Sequence, residues 1–65
     1  MINIGDKFEY TSSIFRAKFI IQVMGSENGK YGIYIYNERG SLIDDSLKIV
    51  EEDFFVGEDI KKIGE

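Results

Sequence analysis

Apolar and polar residues alternate along the first half of the chain with the period of a β-strand. From Phe15 to Val23 the odd-numbered positions are apolar, and the even-numbered positions are Arg16, Lys18, Ile20 and Gln22. A two-residue period places one set on a buried face and the other on the opposite face. The run Tyr31–Tyr36 is rich in aromatic and β-branched residues, which favours a second strand.

The segment between these strands, Gly25–Gly29, contains an Asn-Gly pair and predicts a hairpin loop. Folding the strands about this loop sets Val23 opposite Tyr31, Ile21 opposite Ile33 and Phe19 opposite Ile35. All three pairs are apolar, so a one-residue slip would turn one apolar set toward solvent. On the other face, the same register sets Ile20 against Tyr34 and Lys18 against Tyr36.

Shorter segments predict the remaining elements. We expect an opening strand over Gly5–Tyr10, a turn at Asn37–Gly40, and a third strand that begins at Ser41–Ile43 and is interrupted by Asp44 and Asp45. Residues 46–50 fit a resumed strand, which we favour, or a short helix capped by Ser46. A helical turn near Glu51–Phe55 and a closing strand at Ile60–Ile63 complete the set.

These elements make an all-β fold of about five short antiparallel strands, with one helical turn before the last strand. Small chains close such a set into a partly open barrel, because closure removes exposed strand edges. The order of parts resembles the SH3-like barrels in the opening Gly5-Asp6-x-Phe8, the long central hairpin, and the turn at Glu52-Asp53-Phe54. The resemblance covers most of residues 1–65, which we interpret as a single domain. It implies the fold alone, because that fold hosts many unrelated functions, and the absence of tryptophan disfavours proline-peptide binding.

The composition narrows the possible chemistry. The chain of 65 residues has no cysteine and no histidine, which removes the thiol nucleophile, the most frequent general base and the commonest metal ligand. The carboxylate pairs Asp44-Asp45 and Glu51-Glu52 do not favour a hydrolase, because neighbours on a strand point to opposite faces. We therefore expect no enzymatic activity, no cofactor and no metal. The chain shows neither a membrane-spanning apolar run nor a signal-peptide pattern, so we expect a cytoplasmic protein with no membrane partner.

Two groups of residues are candidates for partner binding. The outward face of the central hairpin collects Arg16, Lys18, Ile20, Tyr34 and Tyr36. Such a face suits the centre of a protein interface, base stacking by single-stranded nucleic acid, or ordinary cross-strand packing. The second group is acidic and comprises Asp44, Asp45, Glu51, Glu52 and Asp53, in a C-terminal region (residues 41–65) with eight acidic and three basic side chains. It could imitate a phosphate backbone toward a basic protein, attract a cation, or serve only as a solvated surface.

We therefore expect a non-enzymatic protein-interaction module. A very small acidic chain, of net charge −4 and without cysteine, also resembles accessory proteins of phages and other mobile elements. That resemblance implies an inhibitor of a host nucleic-acid-acting enzyme, such as a CRISPR nuclease. The alternatives are single-stranded nucleic-acid binding through the Tyr/Lys face of the hairpin and a structural homo-oligomer subunit, since so small a domain has a limited core.

Overall fold

The chain forms one antiparallel sheet in a computed structural model that describes residues 2–43 and 47–64. The strands are β1 (Lys7–Ser12), β2 (Ala17–Glu27), β3 (Lys30–Asn37), β4 (Lys48–Glu51) and β5 (Ile60–Ile63), and a 3-10 turn (Glu52–Val56) precedes β5. The strand order is β4-β3-β2-β1-β5, so β4 and β5 are edges and the sheet is not closed. The all-β class is confirmed, and this order of parts is consistent with an SH3-like fold.

The region between β3 and β4 differs in part from the prediction. The expected strand start at Ser41–Ile43 is reduced to an isolated bridge between Tyr36 and Leu42, next to a hydrogen bond from the Ile43 N–H to the Ile35 carbonyl (2.9 Å). The favoured strand over residues 46–50 is confirmed from Lys48 onward. The predicted interruption at Asp44-Asp45, together with Ser46, lies outside the described residues.

The core lies on one side of the sheet and is covered by the 3-10 turn. Its buried members are Phe8, Ile21, Val23, Ile33, Phe55 and Ile60. Phe55 of the 3-10 turn contacts Phe8 at 4.7 Å between ring centroids and meets the Tyr31 ring edge-on at 5.5 Å. Burial of a side chain of this size contributes about 1.5–3 kcal/mol, so Phe55 is a main attachment of the turn to the sheet.

The register of the β2–β3 hairpin corrects the prediction. Val23 lies opposite Ile33, Ile21 opposite Ile35 and Phe19 opposite Asn37. The loop is only Asn28-Gly29, with φ of 55° and 79°, so the strands continue to Glu27 and Lys30. The short loop displaces the pairing by three positions along β3, and a bulge between Val23 and Gly25 reverses one of them. The total displacement is two positions along β3, which changes every pair and leaves each side chain on its predicted face.

The predicted strand Phe15–Val23 begins two residues later, at Ala17, because Phe15 and Arg16 belong to the turn between β1 and β2. The pairing ends at Ser12 opposite Ala17, so residues 13–16 form the connection. The Ser12 hydroxyl oxygen accepts the Phe15 N–H at 3.1 Å, and Arg16 takes a left-handed φ of 54°. Phe15 is therefore 75% exposed in the turn instead of packed in the core, and Arg16 lies before the start of β2.

Candidate binding surface on the outer face of the sheet

The side of the sheet opposite the core carries residues that we call the outer face. They alternate with the buried core residues along each strand, which is the two-residue period of β structure. Antiparallel partners point to the same side, so the pairing of four strands defines the membership. The outer face comprises Lys7, Glu9, Thr11, Lys18, Ile20, Gln22, Tyr34, Tyr36, Lys61 and Ile63.

The strand register sorts these side chains into two rows that cross four strands. One row runs Tyr36, Ile20, Glu9 and Lys61, and the next runs Tyr34, Gln22, Lys7 and Ile63. Neighbours in a row have Cβ atoms about 4.5–5.5 Å apart. Ile20 and Tyr36 thus form an apolar and aromatic pair with charged residues further along the same row.

Four of the five predicted hairpin residues lie on this face, although their pairing differs. Tyr36 lies opposite Ile20, Tyr34 lies opposite Gln22, and Lys18 pairs with Thr11 of β1 instead of facing Tyr36. The two-position displacement of the hairpin register causes each change. Arg16 is the fifth residue and is not part of the outer face, because it belongs to the β1–β2 turn.

A shallow groove of about 350 Å³ crosses the outer face. Ile20, Tyr36 and Ile63 supply its apolar lining. Glu38 and Gly40 line the end of the groove that is formed by the turn after β3. Lys7 and Gln22 complete the lining. The groove therefore combines apolar surface with a lysine ammonium and a carboxylate.

Hydrogen bonds to one side chain hold the turn at the end of this groove. The Asn37 carboxamide oxygen accepts the backbone N–H of Arg39 at 2.9 Å and that of Ser41 at 3.0 Å. Gly40 has a φ of 87°, the left-handed conformation that glycine adopts without strain, at the end of the predicted turn. Two backbone hydrogen bonds, Gly40 N–H to Asn37 C=O and Asn37 N–H to Ser41 C=O, are both 2.9 Å and complete the turn. The groove end is thus fixed by local structure.

The charge of the outer face is opposite in sign to that of the whole chain. Lys7, Lys18 and Lys61 oppose the single carboxylate of Glu9, which gives 3 − 1 = +2 on a chain of net charge −4. The Lys18 ammonium lies 4.0 Å from the Glu9 carboxylate, and both side chains are substantially exposed. Such a pair contributes little to stability, so the positive charge of the face stays available to a partner.

The segment before β1 is tied to β5 near the edge of the outer face. The Asp6 carboxylate accepts the Asn3 N–H at 2.8 Å and lies 3.3 Å from the Lys62 ammonium. The hydrogen bond from the Asn3 backbone, and then that from Lys62, hold the pKa of Asp6 below the ordinary value of an aspartate carboxyl group. A charged Asp6 thus fastens the start of β1 to the last strand.

The acidic candidates belong to a different part of the fold. Glu51 ends β4, and Glu52 and Asp53 occupy the first turn of the 3-10 segment, where all three are exposed. We call Glu51–Asp53 the acidic segment. The other two candidates, Asp44 and Asp45, lie outside the described residues. Within residues 2–43 and 47–64, no cluster of carboxylates is arranged to hold a metal ion.

Sequence reasoning missed the outer-face residues that β1 and β5 contribute: Lys7, Glu9, Thr11, Lys61 and Ile63. The alternation of Lys7, Phe8, Glu9 and Tyr10 was a signal for an outward Lys7 and Glu9. The placement of β1 beside β2, and of β5 beside β1, depends on long-range pairing, which a local pattern does not contain.

No protein family, curated protein or solved structure with which we compared the chain matches it. In the part of the chain that the structure describes, no helix has the length and apolar character needed to cross a membrane.

Proposed function

We propose that the chain is a non-enzymatic protein-interaction module whose outer face binds a partner protein. The observation that carries the proposal is the Ile20–Tyr36 pair, an apolar and aromatic centre on a face that also carries lysines. Protein interfaces combine a largely uncharged centre, often with tyrosine, and a polar rim. The groove beside this pair offers a recess for a side chain of the partner.

We further propose that the partner is a nucleic-acid-acting enzyme and that the chain inhibits it, as accessory proteins of phages and mobile elements do. The small size, the net charge of −4 and the exposed acidic segment support this proposal. Enzymes that act on nucleic acids present positive surfaces, which attract carboxylates. In this arrangement the outer face supplies the apolar contact, and Glu51–Asp53 occupy part of the basic site.

A second candidate function is single-stranded nucleic-acid binding by the same outer face. The supporting observation is that Tyr34 and Tyr36 point to one side of β3, on a face with three lysines. Aromatic rings two positions apart on a strand can stack successive bases, while lysines contact phosphates. This function requires affinity that falls steeply with salt, whereas an apolar protein contact depends less on salt.

The experiment is a pull-down from bacterial lysate with tagged protein, carried out with and without nuclease, on three versions of the chain. The double variant Ile20→Ser/Tyr36→Ala alters the outer face, and the triple variant Glu51→Gln/Glu52→Gln/Asp53→Asn alters the acidic segment. Each variant is the control for the other, because the two surfaces share no residue.

We expect a partner protein that survives nuclease treatment and is lost with the outer-face variant. Weaker retention by the acidic-segment variant supports the inhibitor proposal, which a purified nuclease assay then tests. Retention that disappears with nuclease favours nucleic-acid binding. Equal retention by the outer-face variant and the unaltered chain contradicts the proposed surface.

A further inference from the structure

The two edges of the sheet differ in how they are protected from pairing with another strand. An edge strand presents unpaired backbone N–H and C=O groups, and native proteins commonly protect such edges with lysine. The β5 edge has Lys61 and Lys62 at its centre. The β4 edge has Ile49 and Val50 there, and Ile49 is 62% exposed. The exposed apolar edge of the sheet is therefore β4.

The surface beside β4 is also open, and the part of it next to the edge is apolar. Gly25 and Gly32 lie opposite each other in the hairpin and leave a groove of about 650 Å³ next to Leu47 and Ile49. A Cβ atom at Gly32 would lie 3.0 Å from the nearest carbon of the Leu47 side chain. Leu47 is thus packed over Gly32 while it remains 49% exposed. Leu47 and Ile49 together form an apolar strip along the edge.

We infer that the β4 edge pairs with the β4 edge of a second copy of this chain, in antiparallel register about a two-fold axis. Directly opposed residues of two antiparallel strands point to the same side of a sheet. A two-fold axis satisfies this condition only if it passes beside a residue that lies opposite the same residue of the second copy. For the centre of β4 this residue is Ile49 or Val50. Ile49 is selected because it is exposed, whereas Val50 already packs against the core.

The register centred on Ile49 is free of like-charge contacts in β4. Ile49 faces Ile49 of the second copy, Lys48 faces Val50, and Glu51 faces Leu47. Leu47 and Ile49 of both copies then form one apolar cluster on the outer side, since diagonal neighbours are also within reach. The equivalent two-fold registers of β5 set Lys61 against Lys61 or Lys62 against Lys62, which is repulsive. The absence of like-charge contacts in the β4 register, and the lysine repulsion in the β5 registers, therefore favour pairing between the β4 edges of two copies.

The test begins with sedimentation equilibrium over concentrations of about 10 µM to 1 mM, because a four-residue strand supports only a weak interface. We expect the average mass to rise from the monomer toward the dimer value. Ile49→Lys should raise the dissociation constant at least about tenfold, equivalent to 1.4 kcal/mol. Ile14→Lys is the matched control, because Ile14 is 84% exposed in the β1–β2 turn, far along the sheet from β4.

A cross-linking variant tests the register and does not depend on the folding of Ile49→Lys. The chain has no cysteine, so Ile49→Cys introduces a single thiol. Facing residues in an antiparallel pair have Cα atoms about 4.5–5.5 Å apart, within the range that a disulfide spans. Oxidation should convert Ile49→Cys to a covalent dimer much faster than Ile14→Cys. A monomer at the highest concentration, a dimer that Ile49→Lys leaves intact, or equal cross-linking of the two variants would overturn the inference.

Discussion

Ile20 of β2 lies directly opposite Tyr36 of β3, on the side of the sheet away from the core. The pair is half-buried, although the buried side chains that hold the fold together point the other way. An apolar pair in this position contributes modestly to stability and remains available to a partner. Stability and binding should therefore respond differently when this pair is altered.

Tyr36→Ala should lower the free energy of unfolding by only about 0.2–1 kcal/mol, the value of a cross-strand pair. The same variant should weaken partner binding by more than about tenfold if Tyr36 is an interface centre. The comparison variant is Ile21→Ala, which empties a core position that is 1% exposed and should cost about 2–5 kcal/mol. Urea unfolding measures both costs. Equal destabilisation by the two variants would mean that Tyr36 is a core residue.

Gly29→Ala should destabilise the β2–β3 hairpin. Gly29 has a φ of 79°, where a side chain costs about 1–2 kcal/mol. Gly25→Ala is the matched control, because its φ lies outside the left-handed region and an added Cβ would meet no atom within 4 Å. Urea unfolding of the two variants should differ by about 1 kcal/mol or more. A Gly25→Ala variant as unstable as Gly29→Ala would contradict the two-residue turn.

Asn37→Ala should loosen the turn that ends the outer-face groove. The carboxamide oxygen accepts two backbone N–H groups in an exposed turn, and a hydrogen bond of this kind contributes about 0.5–1.5 kcal/mol net. Asn37→Asp keeps an oxygen acceptor at the same position and should retain most of the stability. Amide hydrogen exchange at Arg39 and Ser41 measures the effect. Exchange that speeds up equally in both variants would contradict the role of this oxygen.

Asp6 should make stability depend on pH in the acid range. Its folded-state pKa is lowered by hydrogen bonds from the Asn3 backbone and from Lys62, so the folded chain binds a proton less readily than the unfolded chain. The contribution is fully present above the ordinary aspartate pKa of the unfolded chain and is lost as pH falls through the lowered pKa of the folded chain. Asp6→Asn keeps an acceptor oxygen without the charge and should remove this part of the pH dependence. The measurement is the urea midpoint of the unaltered chain and of Asp6→Asn from neutral to acidic pH. Midpoints that fall in parallel for the two proteins would contradict this account.

The sequence pattern predicted the elements of the fold well, because each is specified locally. The two-residue alternation from Ala17 to Val23, the Asn28-Gly29 pair and Gly40 all determine the structure around them. The predicted hairpin register was wrong because a displacement of two residues leaves every side chain on the same face of the sheet, so the alternation pattern does not distinguish the two registers. Gly25, next to the bulge after Val23, is a sequence signal for a bulge within a strand, but it was assigned to the hairpin loop.

The candidate surface was predicted only in part for a similar reason. Ile20, Tyr34 and Tyr36 follow from alternation within one hairpin. Lys7 and Lys61 join them only because β1 and β5 add to the same side of the sheet. Phe15 was assigned to the core on its alternation, which continued past the actual start of β2 at Ala17. Local periodicity shows which face a residue takes within a strand and does not show where the strand begins.

The central claim is that the outer face binds a protein partner, and mapping the contact by nuclear magnetic resonance tests it most directly. The ¹⁵N-labelled chain would be titrated with the purified partner from the nuclease-treated pull-down. We predict that the largest shifts or losses of amide signal occur around Ile20, Tyr36 and Ile63, with smaller changes at Glu51–Asp53. Changes confined to the 3-10 turn and the acidic segment, with the outer face unaffected, would contradict the account.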